Sequence, residues 1–417
     1  MSQFIRRQAI LKKSLAVAVT AVMMSSVHAA TEKEEIQKLR QEVEALKSLI
    51  QQQQQVQQQQ QVQLAQVSAV PASAATPALK TKAGANVNLY GFVRGDANYV
   101  IEGADNDFNS VHTSTGAAQD KLLATAKTTR LGLDFKTNVE GADVGGKVEV
   151  DFAGNTADAN GALRIRHAYL TLNNWLFGQT TSNFLSNHAP EMIDFGTNVG
   201  GGTARIPQVR YSHKLAPDTL LLVSAEEGNS TGSGLKYSLP NLTAKVTQGF
   251  AEGKGSASAR ALVENYKSET ANDEQTGWGV AAGANYQVSD PLKVSADVSY
   301  VKGNSNYLYG ANSAYSVVDG DIEQNEFMGV QVGATYKILP NLRSTLAYGA
   351  LFADDGTDYA SLNTSANEKV QQAWINLIYS PVKPVDLGIE YINGKRETFS
   401  GASFKDNRVG LMAKYNF

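Results

Sequence analysis

The chain has 417 residues, a formal net charge of −3, 18% charged residues and no cysteine. That length exceeds one ordinary soluble domain, and the charged fraction is below the roughly 25% of average soluble proteins. The missing cysteines exclude disulfides, haem thioethers and thiolate zinc sites, and the negative balance argues against a nucleic-acid partner.

Residues 1–29 read as an export signal. Arg6, Arg7, Lys12 and Lys13 form its basic region, Leu15 to Met24 its apolar region, and Val27-His28-Ala29 a small-residue cleavage site. The apolar stretch is about ten residues, against the ~20 a spanning helix needs. Its removal takes the net charge from −3 to −7, because four positive charges leave. No other long apolar run follows, so any membrane-spanning structure must be made of strands.

Residues 30–67 carry a heptad pattern. Ile36, Leu39, Val43, Leu46 and Ile50 hold successive a and d positions, and counting by sevens through the glutamine tract 51–61 restores Leu64 to a and Val67 to d. An α-helical coiled coil of roughly 55 Å follows at ~1.5 Å per residue. The plainer reading is a flexible glutamine-rich tract. Residues 68–85, with Pro71 and Pro77, read as a linker.

From residue 86 to 417 the period becomes two. Sixteen strands are predicted near 87–99, 123–136, 146–152, 162–172, 174–180, 205–212, 218–226 and 234–239. They continue near 242–251, 277–288, 292–302, 326–338, 341–352, 370–380, 385–396 and 407–417, with 259–266 open between strand and loop. Short turns such as Asn173-Asn174 and Pro240-Asn241 alternate with long loops, the asymmetry of an all-β transmembrane barrel. A soluble β-sandwich alternates too. The export signal, the length, and tyrosines recurring on the apolar face near the tight turns (Tyr237, Tyr286, Tyr336, Tyr379, Tyr415) favour the barrel, as a girdle at the headgroup layer. Phe417 closes the chain in phase with Tyr415, and resembles the C-terminal signal read by the barrel-assembly machinery of the outer membrane.

Parity then sends charges inward. A charge facing lipid costs about 2–4 kcal/mol near the midplane, so Arg94, Arg130, Arg164, Arg166, Arg205 and Arg210 are expected to line a wet lumen. His167 falls on the outward parity, an awkward fit. The long connection 181–204 is expected to narrow the lumen with Asn187, His188, Glu191 and Asp194, while Phe184, Met192 and Phe195 pack on the wall. An acidic loop facing an arginine wall suits passage of small anions, since guanidinium groups grip carboxylates in a two-pronged geometry. The plainer reading pairs those arginines with Asp96, Asp134, Glu149 and Asp151.

Catalysis has little support. Gly228-Asn229-Ser230-Thr231-Gly232 matches the G-x-S-x-G pattern but has no helix to follow it. The acidic clusters Asp105-Asn106-Asp107 and Asp354-Asp355-Gly356-Thr357-Asp358 lack a full calcium-loop pattern, and read as solvated or lipopolysaccharide-bridging loops. No metal, cofactor or catalytic residue is expected.

The whole mature chain resembles the DcaP-like outer-membrane porins. The coil with its glutamine run, Leu89-Tyr90-Gly91-Phe92-Val93, Arg164-Ile165-Arg166-His167-Ala168-Tyr169-Leu170, Phe177-Gly178-Gln179-Thr180, Pro207-Gln208-Val209-Arg210-Tyr211 and Glu390-Tyr391-Ile392-Asn393-Gly394 carry the resemblance. It implies a homotrimer of sixteen-stranded barrels in the outer membrane, a coil in the periplasm joining the protomers, and uptake of small anions such as dicarboxylates. The rival reading is a barrel whose coil tethers the outer membrane to the cell wall.

Overall fold

The computed structural model describes residues 79–154 and 161–417. The expected export signal, the coil and residues 68–78 of the linker lie outside the described residues. From Asn86 onward the chain is almost all antiparallel sheet, closed into a barrel of sixteen strands. These are β1 (Asn86–Gly103), β2 in two pieces (Ala118–Thr125 and Arg130–Val139), β3 (Ala142–Asp151), β4 (Arg164–Leu172), β5 (Trp175–Thr181) and β6 (Arg205–Ala216). Next come β7 (Thr219–Glu226), β8 in two pieces (Leu235–Lys236 and Asn241–Phe250), β9 (Gly255–Ser268), β10 (Asp273–Gln287) and β11 (Leu292–Lys302). Last are β12 (Glu326–Leu339), β13 (Leu342–Ala353), β14 (Asn367–Val382), β15 (Val385–Thr398) and β16 (Ser403–Asn416).

Closure runs through the first and last strands. Val93 pairs with Tyr415 and Tyr99 with Val409, and Phe417 exchanges both backbone hydrogen bonds with Gly91. A ring of this kind leaves no sheet edge, the condition for strands to cross a bilayer. The outward side chains confirm the solvent: Leu89, Val93, Leu346 and Leu411 are each at least half exposed, and burial of such chains in lipid contributes ~1.5–3 kcal/mol apiece.

Even-numbered strands descend to short turns at 140–141, 173–174, 217–218, 251–254, 288–291, 340–341 and 383–384. The opposite end carries the long loops, including 104–117, 182–204 and 303–325, the last with a small hairpin of Tyr315–Val318 and Asp321–Gln324.

The count of sixteen agrees with the sequence, but its partition does not. The stretches expected as separate strands at 234–239 and 242–251 are two pieces of β8, and the undecided stretch 259–266 lies within β9. Pro240 has no N–H to give the ladder, so it breaks the pairing without reversing the chain. The reversal comes later, at Ala251, Glu252 and Gly253, all with positive φ. Tyr237 therefore stands at the loop end, not in the girdle. Its hydroxyl donates to Glu264 at 3.1 Å and accepts from the Ser230 N–H at 3.2 Å. Tyr286, Tyr336, Tyr379 and Tyr415 lie exposed on the outer face near the short turns. Phe250 stacks on Tyr286 there, and Trp175 packs against Tyr211 at 4.9 Å.

Candidate functional site: the lumen constriction

Residues 182–204 leave β5 and fold into the barrel. A loop of that length carries many backbone polar groups, and each needs a partner once enclosed. Inward-facing side chains of the wall supply them in sequence. Lys245 on β8 donates to the Leu185 carbonyl at 2.6 Å and to Asn187 Oδ1 at 3.0 Å. Ser186 donates to Asp297 on β11, which is itself gripped by Arg260 on β9. The His188 ring is held by Asn285 on Nδ1 at 2.8 Å and by Ser258 on Nε2 at 3.1 Å. Burial pushes the His188 pKa below its ordinary value; the Asp297 carboxylate opposes this, while Arg260, Lys245 and Lys293 add to it.

Further along, Arg343 on β13 forks onto Glu191, with bonds of 2.8 and 2.7 Å. Trp374 and Asn376 on β14 both donate to the Glu191 carbonyl at 3.1 Å. Glu390 on β15 is fully buried and accepts the Ile193 and Asp194 N–H groups at 2.9 and 2.8 Å. Gln372 and Gln331 hold Val199 and Asn198. Apolar side chains complete the seat. Phe184, Leu185 and Val199 pack with Leu262, Val301, Phe327 and Leu351, while Ile193 packs with Ile378 and Met412.

These anchors all belong to β7 through β16 and β1; among the described residues the loop makes no hydrogen bond to β2, β3 or β4. The passage is therefore bounded on one side by the loop and on the other by the inner face of β2 to β6.

That second face holds most of the expected arginines. Arg164, only partly covered, forks onto Asp151 at 2.9 and 2.7 Å. Arg166 bridges Glu149 and Asp151, both at 2.8 Å. Arg130 lies 3.4 Å from Glu149 and 5.0 Å over the Phe92 ring. Arg205 has no ion-pair partner among the described residues and its Nε is buried without an acceptor, while the Arg130 Nε lies in ion-pair contact with Glu149 but makes no hydrogen bond. Four guanidinium groups thus share two carboxylates, leaving an excess of two positive charges. A β-bulge lets Arg166 and His167 both turn inward, since Glu149 pairs with His167 while Val150 pairs with Ile165. His167 contacts Thr180 at 2.9 Å, which removes the awkward outward parity expected from strict alternation.

Other placements differ from expectation. Arg94 is buried and spent on Asp96 and the Ile193 carbonyl, with Phe195 under it at 4.3 Å, so it anchors the loop. Arg210 is half-buried and bonded to Gln208, Ser224 and the Thr181 carbonyl. The loop does not present an acidic face. Glu191 is neutralised by Arg343, and Asp194 is buried behind the loop, accepting from Asn109 at 2.8 Å and Gly196 at 2.7 Å. Burial pushes its carboxyl up to about 6. Strand alternation alone does not reveal the seat itself. Trp374, Ile378, Leu262 and Met412 are apolar residues on inward parity, and in a wet channel such residues signal something lying over them.

A closed barrel with an apolar outer face, a charged lumen and a loop folded into it defines a porin-type channel of the outer membrane. The model of the DcaP outer membrane protein family matches residues 15–417, and the chain belongs to that family. It is 73% identical to the outer membrane channel DcaP of Acinetobacter baumannii, with a TM-score of 0.80, covering 81% of this chain and 99% of that one. OmpF of Salmonella typhi, solved with daunomycin, shares the fold at 14% identity and a TM-score of 0.54, over 81% of this chain and 99% of that one. OmpT of Vibrio cholerae does so at 14% and 0.52, over 81% and 99%. No curated protein matched significantly. The relative at 73% identity is an outer membrane channel.

Proposed function

We propose that the channel admits small hydrophilic solutes and favours small anions such as dicarboxylates. The observation that carries this is the surplus of guanidinium charge on β2 to β6, with Arg130 and Arg205 left under-bonded beside the passage. Fixed charge at a constriction raises the local concentration of the opposite ion, and bidentate donors suit carboxylates. The loop opposite contributes no compensating free carboxylate. The functional unit is a homotrimer, with lipopolysaccharide around it. The apolar concavity of about 820 Å³ on the outer wall, where Gly95, Ala97, Ala124 and Ala413 meet Leu387 and Leu411, supports a protomer contact there. The test is single-channel recording in a planar bilayer under a salt gradient. Wild type is expected to conduct in three equal steps with a reversal potential on the anion side, and R130Q/R205Q to move it toward zero. Cation preference, or silence from folded protein, overturns the reading.

A further inference from the structure

On the short-turn side of the constriction loop a recess of about 270 Å³ opens between the loop and β10, β11 and β12. It lies at the opposite end of the strands from the arginine face. Lys293 is the second residue of β11 and Thr335 sits near the end of β12, whereas Arg164 and Arg205 begin β4 and β6 at the loop end.

The chemistry of its lining is one-sided. Lys293 is exposed into it and forms no ion pair among the described residues. Glu191 reaches the recess, but both its oxygens are occupied by Arg343. The Asn187 oxygen already accepts from Lys245, which leaves the amide N–H groups to donate. Ser295 and Thr335 add hydroxyls, the latter shared with Thr345 at 2.9 Å. Both His188 nitrogens are tied to Asn285 and Ser258, so the imidazole is a wall with no free nitrogen. Donors outnumber free acceptors, the charge is positive, and Pro190 supplies an apolar surface beside them. At ~30 Å³ per water the volume equals about nine waters, room for a short-chain organic acid.

We propose that this recess is a second anion station, in which Lys293, Asn187 and Ser295 hold the carboxylate of a small organic acid after it leaves the arginine face. This rests on the anion reading above. Two weak stations in series suit conduction, since one strong site would trap the solute.

Crystals of the full mature protein soaked in bromosuccinate locate the acid by its bromine anomalous signal. A peak in the recess that disappears in Lys293→Gln, with the folded barrel intact on an unheated gel, is expected. A peak at the arginine face alone overturns the station and leaves the anion reading standing. A peak in the recess alone supports the station and removes the arginine face from the reading. No peak at either place, or one in the recess that persists in K293Q, overturns the station. In bilayers K293Q is expected to raise the half-blocking concentration of succinate about threefold while the reversal potential stays on the anion side; an unchanged block overturns the station.

Discussion

Glu390→Ala is expected to release the tip of the constriction loop. The carboxylate is fully buried, and accepts from the Ile193 N–H at 2.9 Å, the Asp194 N–H at 2.8 Å and Asn376 Nδ2 at 3.0 Å. Alanine leaves three buried donors unmet, at about 1–3 kcal/mol each. Against that stands the relief of several kcal/mol from no longer burying a carboxylate without a cation. With a mid-range loss of about 6 kcal/mol and a relief of about 3, the net is about 3 kcal/mol, and at 1.4 kcal/mol per factor of ten the lifted tip becomes about a hundredfold more populated. The remaining anchors, Arg343 on Glu191 and Trp374 on its carbonyl, hold the neighbouring turn, so the barrel stays closed while the tip samples the passage. Single-channel recordings should show higher conductance and slow open-channel noise, with Glu390→Gln intermediate because it keeps an oxygen for one of the two N–H groups. Wild-type conductance, wild-type noise and undiminished heat resistance in E390A would refute the assignment of Glu390 as the anchor.

Three further outcomes follow from the same structure. The Arg408–Asp406 pair is fully buried, and Arg408 also donates to the Ala104 and Asn106 carbonyls. Arg408→Met alone should cost about 3–5 kcal/mol, seen as a lower temperature for loss of the folded gel band, and adding Asp406→Asn should recover part of it. A Cβ on Gly349 would lie 2.1 Å from the Val199 carbonyl oxygen, so Gly349→Ala should lift the loop from β13 at about 1–3 kcal/mol and expose 182–204 to protease. Asp194 takes up its proton near pH 6, against 3.8 in an unfolded chain. Its folded-state pKa is raised, so stability is gained as pH falls from 7 toward 4 and lost as pH rises through about 6. Asp194→Ala should flatten that slope in gel-band melting measured across the range.

The barrel is legible in the sequence because lipid enforces a period of two and turns punctuate it. The strand count agrees only because two local errors offset one another. Alternation takes Pro240 for a reversal, which makes two strands of β8, and it leaves 259–266 undecided, which omits β9. Alternation also predicts which arginines face in, but not what they touch. Arg94 and Arg164 have the same parity, yet one is locked under the loop and the other stands in the passage. The difference is set by pairing across strands far apart in sequence, such as Glu390 with Asp194, and by a bulge at Arg166 that no local pattern announces. The acidic character of the loop is legible; its neutralisation by Arg343, some 150 residues away, is not.

The loop's attachments and the arginine face occupy different arcs of the wall, and this divides the inheritance of the opening. Width is written in β7 to β16 and β1, through residues such as Glu390, Gln372 and Lys245. Charge is written in β2 to β6, and the two arcs meet at their seams, where Tyr90 of β1 donates to Glu149 and Arg210 of β6 donates to Ser224 of β7. Substitutions of anchors away from those seams should therefore add to substitutions in the arginine face with little epistasis. A lineage of such channels is free to retune what it prefers without first renegotiating how much it admits.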